Sequence, residues 1–192
     1  VHGANGYLPD QFLTTTTNLR TDEYGGRTEN RIRFHTEIMR AVRDATPASV
    51  PVGVRISQTK VNDLTYVWAG GVADAEVVFP ALKKAGVDFI HVSSHLGCAP
   101  VFASGLSLAG LAKKFTGLPI IANGRLHDPA SAEDVLARGE GDFCSVGKGA
   151  LGDPAWPAKV LAGQDPIPFD PDILTPLATL ENMAAWRRRI AG

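Results

Sequence analysis

Apolar residues along this chain recur in two rhythms, short near-continuous runs and helical spacings of three and four, and from about residue 28 the two alternate. The short runs fall at 51–57, 87–93, 119–123 and 142–146. They are rich in Val, Ile and Phe and bounded by Gly, Pro or Asp, which predicts strands. The helical rhythm is clearest over 28–45, where Ile32, Phe34, Ile38, Met39 and Val42 recur with Arg and Glu between them. Further helices are predicted over 73–84, over 108–115 and from Pro129 to Gly139, the last with Asp128 as N-cap. Another begins at Pro154, and an Arg-tailed terminal helix starts at Leu174, in a closing segment 174–192. Residues 11–20 read as a Thr-rich loop, and 21–26 as a turn with breaker glycines.

Strands without strict polar alternation, each followed by a helix, imply an α/β fold with a parallel sheet covered by helices. Successive strands start near residues 51, 87, 118 and 141, about 36, 31 and 23 residues apart, against about 31 per unit in an eight-unit barrel of ~250 residues. An open doubly wound sheet fits this periodicity equally. The strand ends separate the two better. Asn123-Gly124-Arg125 and Val146-Gly147-Lys148-Gly149 are consecutive glycine-plus-cation loops, in which backbone amides can approach a phosphate while Arg and Lys supply charge. In (β/α)₈ barrels the loops after strands seven and eight often build a phosphate site. That numbering makes the strand at 51 the fifth.

Composition alters this picture little. With 192 residues, 44% hydrophobic, and a formal net charge of -1, the chain is an average globular composition with no bias toward nucleic acid or membrane. No apolar run approaches the ~18 residues a bilayer span needs. Cys98 and Cys144 stand far apart without a CxxC, which argues against a disulfide framework or structural zinc and makes the cytoplasm the default. His91 and His95 lack a supporting carboxylate, so no metal is expected. The chain opens at Val1, not Met, directly before its most reactive-looking loop, and is expected to be a piece of a longer reading frame.

That loop is His2-Gly3-Ala4-Asn5-Gly6-Tyr7-Leu8. His and Asn can both donate to one oxygen, and Tyr, with a reference pKa near ~10, can give up a proton it holds at neutral pH. The combination suits polarising a carbonyl and protonating a carbon near it.

Together with Gln11-Phe12-Leu13, Asn18, Arg20-Thr21-Asp22-Glu23-Tyr24-Gly25-Gly26, Glu29-Asn30-Arg31 and Arg33-Phe34, this loop resembles the old yellow enzyme family. These are FMN-dependent ene-reductases, also called NADH:flavin oxidoreductases, on a TIM barrel. The resemblance spans essentially the whole chain but only the C-terminal half of that barrel. It implies a single partial domain, 1–192, holding strands 5–8 plus the loop after strand 4. It also implies FMN as cofactor, NAD(P)H as reductant and a small enone-type substrate. His2 and Asn5 match the pair that hydrogen-bonds the substrate oxygen, and Tyr7 matches the proton donor to the α-carbon. Arg55 matches the arginine beside the flavin N1 and C2 carbonyl, where a fixed cation stabilises the charge gained on reduction. Gly124, Arg125, Gly147 and Lys148 match the FMN-phosphate loops, and Asn123 heads the first of them. Lys148 stands where the family often has Arg, so the bidentate fork is lost. Arg125 stands where several members are neutral. The absence of cysteine after Leu151 disfavours the iron-sulfur subclass. Two alternatives remain: a phosphate-substrate TIM-barrel lyase or isomerase, and a non-catalytic half-barrel that assembles with another subunit. Homo-oligomerisation is left open, and the 192 residues by themselves are expected to be inactive.

Overall fold

Four short strands, β1 (Gly53–Ser57), β2 (Phe89–Ser93), β3 (Ile120–Asn123) and β4 (Phe143–Ser145), pair in parallel and in chain order in a computed structural model that describes residues 1–191. The chain divides into two compact units, Val1–Ser145 and Val146–Gly192.

In the first unit, α1 (Leu8–Leu13), α2 (Thr28–Arg31) and α3 (Arg33–Asp44) precede the sheet, while α4 (Val72–Lys84), α5 (Leu108–Thr116) and α6 (Pro129–Ala137) follow β1, β2 and β3. Successive strand residues face opposite sides. Val54, Ile56, Ile90, Val92, Ile120 and Ala122 point one way and are all buried, in one cluster with Val78, Phe79 and Leu82 of α4 and Leu108, Leu111 and Ala112 of α5. Parallel register carries the opposite face in rows: Arg55, His91, Ile121 and Phe143, then Ser57, Ser93, Asn123 and Ser145. One face of β1 to β3 is thus fully buried, while the other is mostly half-buried and carries Arg55, His91 and the polar strand ends. At the opposite ends of the strands, Asp88 accepts from the Val52 amide at 2.7 Å and Asp142 accepts from the Ile120 amide at 2.7 Å. An aspartate just before β2 and another just before β4 thus tie these strands to their neighbours.

Two expectations change here. Residues 8–13 are helical, not loop, because Pro9 pre-sets the first turn and Asp10 and Leu13 are buried. The helix expected over 28–45 is two helices broken at Ile32. Arg31 turns back there to donate to the Leu13 carbonyl at 3.0 Å and to pair with buried Asp74 at 3.3 Å. The glycine-rich turn is architectural: a Cβ on Gly25 would lie 1.9 Å from the Arg20 carbonyl oxygen, and Asn18 Nδ2 donates to the carbonyls of Phe12 and Tyr24. The expected N-cap at Asp128 is present, its carboxylate accepting from the Ser131 amide at 3.0 Å.

The second unit contains α7 (Lys148–Gly152), α8 (Trp156–Leu161), a 3-10 turn at Pro171–Leu174 and α9 (Leu180–Ala191). The terminal helix therefore begins at Leu180 instead of Leu174. Pro176 disfavours helix at Thr175. Trp186 Nε1 donates to Asp170 at 2.7 Å and Arg189 pairs with Asp172 at 2.8 Å, which joins α9 to the 3-10 turn.

Candidate active site at the carboxyl ends of the strands

The opening residues join the sheet. The Val1 amine donates to the Gly53 carbonyl at 2.7 Å, the Arg55 amide to the Val1 carbonyl at 2.8 Å, and the Gly3 amide to the Arg55 carbonyl at 2.8 Å. His2 is thereby paired in parallel with Arg55. Ala4 to Tyr7 then turns sharply, with the Tyr7 amide donating to the Ala4 carbonyl at 3.2 Å. Asn5 and Gly6, the central residues, have φ of 62° and 87°. Two successive positive φ values are those of a type I′ turn, for which Asn-Gly is the favoured pair. The Asn5 amide is held by Ser57 Oγ at 2.8 Å and the Gly6 amide by Asp10 Oδ2 at 2.7 Å.

The turn brings the expected side chains to one edge of the sheet. Tyr7 is 58% exposed, and its ring lies 5.0 Å from that of His2. Partial burial first, and the Arg55 guanidinium next, hold the His2 imidazole below its ordinary pKa. A neutral imidazole presents one N–H donor. Arg55 donates through Nη2 to Ser93 Oγ at 3.1 Å and to Asn123 Oδ1 at 3.3 Å. Its Nε is buried and has no partner among the described residues. Asn123 Nδ2 donates to the Ser145 carbonyl at 3.0 Å, and His91 Nε2 lies 2.9 Å from Ser145 Oγ. Burial, with Arg55 and then His2, pushes the His91 imidazole down to about 4, so it stays neutral beside two basic side chains.

Gly124 and Arg125 follow β3 with φ of 133° and 53°. A Cβ on Gly124 would lie 2.3 Å from the Ser94 carbonyl oxygen, so the close approach that demands glycine is to the neighbouring loop. The Gly97 amide donates to the Gly124 carbonyl at 2.8 Å and closes that contact. The Arg125 side chain is exposed. In the second unit, Gly147 precedes α7, and a Cβ there would meet nothing within 4 Å, so its lack of a side chain answers no contact within the described residues. Lys148 Nζ lies 5.6 Å from the centre of the Phe169 ring.

Several residues of the site carried no motif. Ser57, Ser93 and Ser145 stand with Asn123 in one row across the sheet, visible in the sequence only as a polar last residue on each apolar strand. His35, on α3, is buried. Its Nε2 lies 3.0 Å from the Gly3 carbonyl oxygen, which can only accept, so Nε2 carries the proton and Nδ1 is left without a partner. Burial holds His35 down at about 4 from an ordinary 6.5. Its contribution to stability is therefore complete above pH 6.5 and lost as the pH falls toward about 4, worth on the order of 3 kcal/mol. Urea unfolding between pH 7 and 4 should show this loss, and His35→Gln, which keeps a donor for Gly3, should flatten it. An unchanged slope in that variant would remove His35 as the cause.

The NADH:flavin oxidoreductase / NADH oxidase family model matches residues 1–165. Among curated relatives, the NADH oxidase of Thermoanaerobacter brockii is 35% identical over 85% of this chain and 26% of its own length. The NADPH dehydrogenase of Clostridium acetobutylicum is 34% identical over 80% of this chain and 45% of its own. The structure of morphinone reductase in complex with tetrahydroNAD superposes with a TM-score of 0.71 at 28% identity, covering 89% of this chain and 45% of that one. The chain thus spans about half, or less, of the length of these relatives. The fold is the half TIM barrel expected from the sequence, strands 5–8 and the loop after strand 4.

Proposed function

This chain belongs to the NADH:flavin oxidoreductase / NADH oxidase family, and from that membership we propose that the protein it forms is an FMN-dependent enzyme that uses NAD(P)H to reduce activated C=C bonds. The observation that carries the reading is the arrangement around Arg55. A half-buried cation with an orphaned Nε stands beside His2 on the sheet face away from the core cluster, bonded to the row of polar strand ends through Ser93 and Asn123. A buried donor left unpaired is costly, so an acceptor-rich planar group such as the flavin pyrimidine ring fits this place.

In this reading Arg55, with Asn123 orienting it, would hold the polar edge of the flavin ring, and the amides and cation of Gly124 and Arg125 would face its phosphate. Gly147 and Lys148, in the second unit, keep the phosphate role that their likeness to the family implies. A bound FMN would supply the hydride-transfer chemistry between nicotinamide and alkene. The chain's own residues do the rest. Neutral His2 and Asn5 each donate a hydrogen bond to the substrate carbonyl oxygen, drawing electron density from the double bond. Tyr7 gives its phenolic proton to the α-carbon. Its exposure leaves it reachable by a substrate seated over His2. The relatives are an NADH oxidase and an NADPH dehydrogenase, which favours this reading over a phosphate-substrate lyase or isomerase.

The native gene product should bind FMN, lose its flavin absorbance on anaerobic addition of NADH or NADPH, and regain it on addition of 2-cyclohexenone. A protein that stays colourless with FMN, or whose reduced flavin is reoxidised by oxygen but never by the enone, would defeat the proposal.

A further inference from the structure

Beneath the Asn5-Gly6 turn lies an ion pair sealed from solvent. Lys60 Nζ donates to Asp10 Oδ1 at 2.8 Å and to Oδ2 at 2.7 Å, with side-chain exposures of 6% and 0%. Burial pushes the Asp10 carboxyl up and the Lys60 ammonium down, and each partner opposes that shift in the other. Removing two charges from water is expensive, and apolar residues of similar volume would often do as well for stability. Among the described residues, the pair's one side-chain hydrogen bond to the main chain is the acceptance by Asp10 Oδ2 of the Gly6 amide. Gly6 is the residue between Asn5 and Tyr7. Lys60 is also paired with Asn5 across an isolated parallel bridge, and the Val61 amide donates to the Asn5 carbonyl at 3.3 Å.

We propose that Asp10 and Lys60 are positioning residues: Lys60 locks the Asp10 carboxylate, which fixes the left-handed Asn5-Gly6 turn through the Gly6 amide and so sets Asn5 and Tyr7 at one substrate. This rests on the roles given to Asn5 and Tyr7 above. Asn5 holds a positive φ that L side chains rarely adopt. Without the carboxylate the turn can relax toward ordinary φ, swinging Asn5 away while His2, anchored to β1, stays. Substrate polarisation would then fall to one donor.

Two double variants separate positioning from bulk packing. Asp10→Ala with Lys60→Met leaves no lone charge and no acceptor for Gly6. Asp10→Asn with Lys60→Met leaves no charge but restores an acceptor. In stopped-flow measurements on the FMN-loaded protein, the first should slow enone reduction by about tenfold to 10²-fold while flavin reduction by nicotinamide changes less than about twofold. The second should recover most of that loss. Hydrogen exchange over residues 3–8, which needs no turnover, should quicken in the first variant and return to slow in the second. In the wild type the Gly6 amide should exchange slowly despite its half-exposed position. Fast wild-type exchange at Gly6, equal slowing of both half-reactions, or an asparagine variant as slow as the alanine one would each overturn the proposal. A wild type that reduces no enone defeats the functional reading instead, and the exchange data still decide the positioning.

Discussion

Tyr7→Phe should slow enone reduction by about 10²–10⁴-fold, the usual worth of a positioned general acid, while flavin reduction by nicotinamide stays nearly intact. The phenol is the one group this substitution removes. Tyr7 is 58% exposed, its ring contact is with His2, and its backbone role as N-cap of α1 uses no side-chain bond, so folding should not change. Because the two half-reactions are timed separately, the loss must fall on the step that consumes the enone. Equal slowing of both would signal a fold defect, and undiminished enone reduction would take the proton from another donor.

The strands were legible because β-branched residues bound for the core, Val54, Ile56, Ile90, Val92 and Ile120, cluster in short runs bounded by Gly, Pro or Asp, and their parallel order followed from the intervening helices. The N-cap at Asp128 was legible for a local reason, a side chain bonding three residues ahead. What stayed hidden depends on distant partners. Residues 8–13 look like polar loop, yet Asp10 is buried by a lysine 50 residues away. The apolar rhythm runs straight through Ile32, but Arg31 reaches back to α1 and breaks the helix there.

The candidate site divides along the same line. His2, Asn5, Tyr7 and Arg55 could be named from motifs, whereas the pairing that places His2 beside Arg55 is a matter of register. Glycine at 124 fits a phosphate loop by sequence, whereas the closest approach that demands it is to the Ser94 carbonyl. The support under the loop, His35 on the Gly3 carbonyl and Asp10 on the Gly6 amide, uses residue types that occur anywhere in a sequence. Only their burial marks them.

Asp10→Ala alone should cost about 3–5 kcal/mol, the range for removing one partner of a buried ion pair. The penalty comes less from the lost attraction than from the charge left behind. Lys60 is 5% exposed and would keep the Tyr66 ring, 4.7 Å from Nζ, and the field of Asp63, with which no direct bond to its ammonium forms among the described residues. Adding Lys60→Met should recover most of the loss, because no lone charge then remains, so the double variant is expected to be more stable than Asp10→Ala. The pH dependence supplies an independent check. Burial already pushes the Lys60 ammonium below its ordinary 10.5, and without Asp10 it should fall further. A cation whose folded pKa is depressed destabilises the fold below its unfolded pKa and recovers as the pH rises toward it. The gap between Asp10→Ala and wild type should therefore be widest near neutrality and narrow toward pH 10 in urea unfolding. A gap that stays constant with pH, or a double variant no more stable than the single, would mean that the loss comes from the unpaired Gly6 amide and not from the stranded lysine.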